Sequence, residues 1–145
     1  MSAPVVSVSR TDSLAFAEDL MRVERVRHLP VTDGDVLVGL ISHRDVLWAS
    51  ISSLSHPSEE DDRELKRRTE VAQVMRGVVE TAPPDTKVEQ AAEIMLAAQI
   101  GCLPVIDERH HLLGIVTSAD FMRLARDLVS RAAERPPASA ARRKG

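Results

Sequence analysis

Two hydroxyl–carboxylate pairs carry the chemistry this sequence offers: Ser42-x-x-Asp45 and Thr117-x-x-Asp120, whose aspartates lie 75 residues apart. Each sits in nearly the same phrase, GLISHRDVL from Gly39 and GIVTSADFM from Gly114. A Ser or Thr three places before an acid, where an apolar run turns into a helix, is first of all a capping box. The hydroxyl and the acid then satisfy backbone N–H groups at the helix start, each residue contributing about 1 kcal/mol. The same corner also suits a ligand. A strand turning tightly into a helix presents unpaired N–H donors and a positive dipole end, which favours a phosphate. A carboxylate beside it accepts both hydroxyls of a ribose, and a hydrogen bond to a charged group contributes about 1.5–3 kcal/mol. Capping and ligand holding are compatible, and the residues alone leave both open.

The two corners differ in charge. His43-Arg44 precedes Asp45, whereas Ser118-Ala119 precedes Asp120. Arg44 can fork onto phosphate oxygens, although a solvated residue in the first turn of a helix reads the same way. With no such cation in the spacer before Asp120, a phosphate preference is expected at the first corner and a smaller or weaker ligand at the second. His43 adds a further hydrogen-bonding group beside Asp45.

The elements that place these corners repeat. A shift of 74 lays Leu14, Ala17, Leu20 and Met21 on Val88, Ala91, Ile94 and Met95, and His28-Leu-Pro-Val31 on Cys102-Leu-Pro-Val105. One extra residue in the second turn then aligns Gly39 with Gly114. Each half reads as a short strand (Val5 to Val8; Val78 to Ala82) and a helix with apolar residues at spacings of three and four. Asp12 is the expected cap of the first helix, and Thr86 with Glu89 of the second. A hairpin follows, Leu29 to Thr32 and Val36 to Ile41 around Asp33-Gly34, or Leu103 to Ile106 and Leu112 to Val116 around residues 107–110. A last helix runs from His43 to about Leu54, or from Ser118 to about Arg131. The expected class is therefore α/β, built as β-α-β-β-α twice: repeat 1 over 1–54, repeat 2 over 71–130. Between them, 55–70 reads as a solvated, charged linker helix, with acids after Ser58 and bases at Lys66 to Arg68, an order that suits the helix dipole. From Arg131 to Gly145 five basic residues stand against one Glu, and the composition reads as a disordered basic tail.

Composition narrows the function classes. Aromatics make up 2% of the 145 residues, so the core must be aliphatic. A single cysteine, Cys102, excludes an internal disulfide and a cysteine-based zinc cluster. It reads as a buried apolar residue rather than a nucleophile. The five histidines show no ligand spacing, with His110 and His111 adjacent in a turn, so no metal and no resident cofactor is expected. No Ser-His-Asp order, glycine-rich phosphate loop or catalytic carboxylate pair stands out, and an enzyme is not expected. A net charge of −3 gives no general attraction to nucleic acid. No apolar run reaches the roughly 18 residues of a membrane span, and MSAPVVSVSR lacks a signal-peptide pattern; a cytoplasmic protein is expected. Val46, Leu47, Ile51 and Leu54, with Phe121, Leu124 and Leu128, give the two last helices apolar faces that suggest pairing with a second subunit, and Trp48 fits a core or dimer contact.

Two units in which Leu-Pro-Val is followed by Gly, two apolar residues and Ser/Thr-x-x-Asp resemble a tandem pair of cystathionine β-synthase-type (CBS) domains. The resemblance covers about residues 5–54 and 71–128. It implies two units packed through their sheets with pseudo-two-fold symmetry, commonly assembled into disc-like dimers. It also implies a cleft that takes an adenosine ligand, such as AMP, ADP, ATP or S-adenosylmethionine, and a module that signals ligand state to an effector protein. Carried onto these residues, Asp45 and Asp120 would hold ribose, with Ser42, Thr117 and Ser118 near ribose or phosphate. The apolar wall would come from Val6, Val8, Leu29 and Pro30 in one unit and from Val79, Leu103 and Pro104 in the other. Ser7 and Thr81 would meet the ligand edge, and His28 and Cys102 align just before the Leu-Pro-Val segments. The alternative is a ligand-free structural or interaction module whose aspartates only cap helices. One departure stands out. EVAQVMRG resembles the family's short lead-in helix before the second unit, whereas only Met1 to Pro4 precede the first. The first unit's edge is therefore expected to be the less covered one, its site looser or completed by a second chain.

Overall fold

The computed structural model describes residues 5–53 and 58–134. Leu54 and the basic tail from 135 onward lie outside them, as does the side chain of Ile51. The first unit begins with a two-residue strand, β1 (Val8–Ser9), followed by α1 (Leu14–Glu24), β2 (His28–Asp33), β3 (Val36–Ser42) and α2 (His43–Ser53). Then come α3 (Glu59–Arg68) and a single 3-10 turn, Val71–Gln73. The second unit has α4 (Val88–Ala98), β4 (Cys102–Ile106), β5 (Leu112–Thr117) and α5 (Ser118–Glu134). β1 pairs parallel with β2 and β2 antiparallel with β3, while β4 and β5 form the second ladder.

The repeat is carried into geometry. Arg25 and Gln99, 74 apart, both end their helices in the left-handed region at φ 56° and 55°. Both ladders slip at the same place, after Val31 and after Val105. His43 N–H donates to the Arg27 carbonyl at 2.8 Å, and Ser118 N–H to that of Gly101 at 2.9 Å. The fold is thus two equivalent α/β units. Their hairpin turns meet directly: Leu37 N–H donates to His110 O and Leu112 N–H to Asp35 O.

Several sequence expectations shift. The strand expected over Val78 to Ala82 contracts to a single bridge, Ala82 to Val105. Pro83 and Pro84 follow at once and have no N–H with which to extend a ladder. The first helix is capped by Ser13, whose hydroxyl accepts from Phe16 N–H, while Asp12 turns back onto Ser9 N–H at 2.8 Å. In α4 the Thr86–Glu89 box does not form: Thr86 bonds to the Pro83 carbonyl, and Gln90 accepts from Lys87 N–H.

The linker helix is not simply solvated. Ser58 caps α3 as its acids suggest, yet Lys66 near its end is buried against α1. Its ammonium reaches Glu18 and Asp62, each at 2.7 Å, and Asp62 accepts from Ser50 of α2. Burial alone would depress the Lys66 pKa, but the hydrogen bonds it donates to Asp62 and Glu18 outweigh this and raise it.

The largest departure concerns the EVAQVMRG segment. It packs on the first unit rather than the second. Thr69 O accepts from Leu14 N–H, Val71 and Ala72 donate to Asp12 and Arg10, and Leu40 and Arg76 exchange both backbone bonds at 3.0 and 2.9 Å. Val71 is fully buried among Val8, Leu14, Ala17, Leu29, Ile41 and Val46. Gly39 makes this approach possible: a Cβ there would lie 2.7 Å from Arg76 O and 2.6 Å from Met75 Sδ. The first unit is consequently the better covered. The second core is smaller, built on Ala82, Ala91, Met95 and Leu103, and α5 buries no residue.

Candidate functional site

At both corners the capping box closes. Asp45 Oδ2 accepts from Ser42 N–H at 2.8 Å and Ser42 Oγ from Asp45 N–H at 3.1 Å. Asp120 Oδ2 accepts from Thr117 N–H at 2.8 Å, and Thr117 Oγ1 from Asp120 N–H at 3.4 Å. In each case the strand ends on the hydroxyl residue and the helix begins with the next, so the acid is drawn back over the turn. One carboxylate oxygen is spent on the cap. The other is directed to a cation: Asp45 Oδ1 lies 3.6 Å from Arg76 Nε, and Asp120 Oδ1 lies 3.1 Å from Arg123 Nη1. The cation missing from the spacer before Asp120 is therefore supplied one helical turn later, so each carboxylate has an arginine beside it.

The first corner opens on a cavity of about 1140 Å³ that reaches from one unit to the other. Ser42, Arg44, Asp45 and His28 line it, as do His43 and Leu47 of α2. The far wall is Gln99 to Cys102, the segment between α4 and β4. The units approach closely here, for a Cβ on Gly101 would lie 3.3 Å from the His28 ring. Ser118 bonds to the Gly101 carbonyl through both N–H and Oγ, which ties the second corner to the same wall. Thr117, Ser118 and Asp120 themselves lie outside the cavity lining.

The other sequence candidates are distributed differently. Val8, Leu29, Pro30, Leu103 and Pro104 are buried core residues and do not face this cavity. Val6 packs against the first core. Ser7 borders a separate hollow of about 260 Å³ with Thr32, Asp35 and Leu112. Val79 and Thr81 are half-buried beside the shortened second-unit strand. Cys102 is buried, and burial pushes its thiol up to about 11, so the group is neutral and a poor nucleophile.

Sequence reasoning missed most of the cavity's charge. Arg22 and Arg25 at the end of α1, Arg27 before β2 and Arg76 all line it, together with Glu18. Arg25 and Arg27 had a signal, because they are the repeat partners of Gln99 and Gly101 on the opposite wall. Arg76 had none until residues 69–76 were seen to pack on the first unit. Burial lowers the His28 pKa; Asp45 opposes this by raising it, and Arg76 and Arg27 reinforce the lowering. His28 is therefore neutral at pH 7. Among the described residues no cluster of three or more metal-ligating groups occurs, and no helix is long and apolar enough to cross a membrane.

Comparison with known proteins gives this geometry its relatives. The family model described as the CBS domain matches residues 1–52 and 71–127. A CBS domain-containing protein of Dictyostelium discoideum is 30% identical over 86% of both chains. The inosine-5'-monophosphate dehydrogenase of Methanocaldococcus jannaschii is 33% identical over 82% of this chain, but the match spans only 21% of that enzyme. Among solved structures, a Vibrio cholerae protein described as a candidate acetoin utilization protein, AcuB, superposes with a TM-score of 0.77 at 32% identity, covering 94% of each chain. The CBS domain pair of protein MJ0100, in complex with 5'-methylthioadenosine and S-adenosylmethionine, gives 0.73 at 26% identity, over 88% of this chain and 93% of that one. CBSX2 in complex with AMP gives 0.71 at 26%, over 86% and 90%. Two matched segments, two equivalent α/β units and a ligand-sized cleft between them place this chain in the CBS-domain family, as a CBS domain pair.

Proposed function

We propose that this CBS pair is a regulatory module that binds an adenosine ligand in the inter-unit cavity and passes its ligand state to a partner protein. The observation that carries the reading is the position of Asp45: a largely buried carboxylate, fixed by its cap, lining a cavity walled by both units. Ribose hydroxyls would take the place of the Arg76 guanidinium on Oδ1 while the cap on Oδ2 persists. Related CBS pairs solved with AMP and with S-adenosylmethionine support the ligand class. Because the cavity has one wall from each unit, a ligand bridging the walls favours one arrangement of the units over another, which is what transmission requires. In this reading the module works in the cytoplasm as a homodimer beside a separate effector, with residues 1–54 and 71–130 as the two units.

The competing reading, a ligand-free interaction module, is favoured by one observation: both aspartates are already engaged as caps. Calorimetric titration of AMP into the wild type, Asp45→Asn and Asp120→Asn separates the two. Asparagine retains an acceptor for the Ser42 N–H, so the thermal midpoint of Asp45→Asn should stay within a few degrees. Its AMP affinity should fall about tenfold or more, equivalent to one lost charged hydrogen bond, while Asp120→Asn keeps wild-type affinity. Binding by none of the three would leave the interaction module standing, whereas equal binding by all three would remove Asp45 from the ligand site.

A further inference from the structure

We infer that the cleft selects ligands bearing two or more phosphates over monophosphate and sulfonium adenosine ligands, with Arg25, Arg27 and Arg76 as the phosphate-holding groups. The inference deepens the adenosine reading and rests on it for the ribose end of the ligand. It starts from a charge imbalance. The chain as a whole carries −3, yet five guanidinium groups and only two carboxylates line this one cavity. The carboxylates offset little of this: Glu18 is held by Lys66 at 2.7 Å, and Asp45 meets only Arg76, at 3.6 Å, which ribose hydroxyls on Oδ1 would release. Arg22 has Asp19 at 3.0 Å outside the cavity. Among the described residues Arg25, Arg27 and Arg44 have no carboxylate within 4 Å.

Like charges gathered around a cavity raise its potential and concentrate anions there. Each planar guanidinium can grip a phosphate through two parallel N–H bonds, a geometry an ammonium lacks. A monophosphate leaves most of this charge uncompensated, whereas a di- or triphosphate meets several arginines at once. A sulfonium adds a cation to a cationic site and is repelled. Arg76 stands beside Asp45, while Arg25 and Arg27 come from the segment between α1 and β2. The cavity, at about 1140 Å³, is large enough for a nucleoside triphosphate.

The test is calorimetric titration of the full chain with ATP, ADP, AMP, S-adenosylmethionine and inorganic tripolyphosphate, magnesium-free, at low and high salt. The proteins are the wild type, Asp45→Asn and Arg25→Gln/Arg27→Gln, with Arg27→Gln alone as the substitute if the double variant loses its melting transition. The expected order is ATP and ADP at least tenfold tighter than AMP, and AMP tighter than S-adenosylmethionine. The ATP advantage should shrink with salt and fall to threefold or less in the arginine variant, whose AMP affinity changes little. Equal affinities for ATP and AMP, or a preference for the sulfonium, overturn the inference and leave the adenosine reading intact if Asp45→Asn still weakens binding. Arginine-dependent tripolyphosphate binding that no adenosine compound exceeds supports the phosphate site and overturns the adenosine reading. Silence from all five ligands overturns both.

Discussion

His28 shows how one residue links the two units to pH. Its ring lies against Gly101 of the second unit and beside Asp45, and burial holds its pKa below the ordinary 6.5. The folded protein therefore resists a proton that the unfolded chain accepts. Its contribution to stability is complete above pH 6.5 and is lost as the pH falls below that value. Between pH 7.5 and 5.5 the wild type should lose more stability, in urea titrations, than His28→Gln does; identical losses would mean that the ring is solvated in the folded state. Asp45 works by the same logic of position, since its cap fixes one oxygen and leaves the other facing the cavity. The Ser/Thr-x-x-Asp pairs were legible in the sequence because a capping box is local, spanning four residues. Arg76 was not, because its place beside Asp45 depends on a backbone pairing with Leu40, far from it along the chain.

At the scale of elements, α3 is the case in which charge pattern and packing diverge. Its acids-first order and Ser58 cap are readable from ten residues, and both are present. Its burial is not readable, because Lys66 finds Glu18 across 48 residues of chain. The ion pairs join three helices: α1 through Glu18, α3 through Lys66 and Asp62, and α2 through Ser50. Removing the ammonium would leave two facing carboxylates without a cation. Lys66→Ala should cost about 2 kcal/mol, as loss of charged hydrogen bonds does, roughly 4–8 °C in Tm at this chain length. A shift below 1 °C would mean an exposed pair of no structural weight. Glu18 also lines the cavity, so α3 is mechanically close to the ligand site although it supplies no lining residue. The strand expected at Val78 to Ala82 pairs only at Ala82: Val78 is fully exposed, and Pro83 and Pro84 block extension on the other side.

At the scale of the whole molecule, the repeat is what the sequence conveyed best. Two copies in register conveyed the order of elements and the two corners. The repeat also misled where the copies are not equivalent. Residues 69–76 complete the first unit, so Val46 is fully buried while α5 of the second unit buries nothing. Lead-in segments are assigned by tertiary contact, and sequence adjacency points to the wrong unit. The asymmetry concentrates the cavity and its cations at the Asp45 corner, and so predicts one dominant ligand site in the pair. The most direct measurement is an amide chemical-shift map of the isotope-labelled chain titrated with ATP. The account predicts perturbations at residues 22–28, 42–45, 76 and 99–102, with smaller effects around Thr117 to Asp120. Perturbations centred on Thr117 to Asp120, or none at saturating ATP, would contradict it.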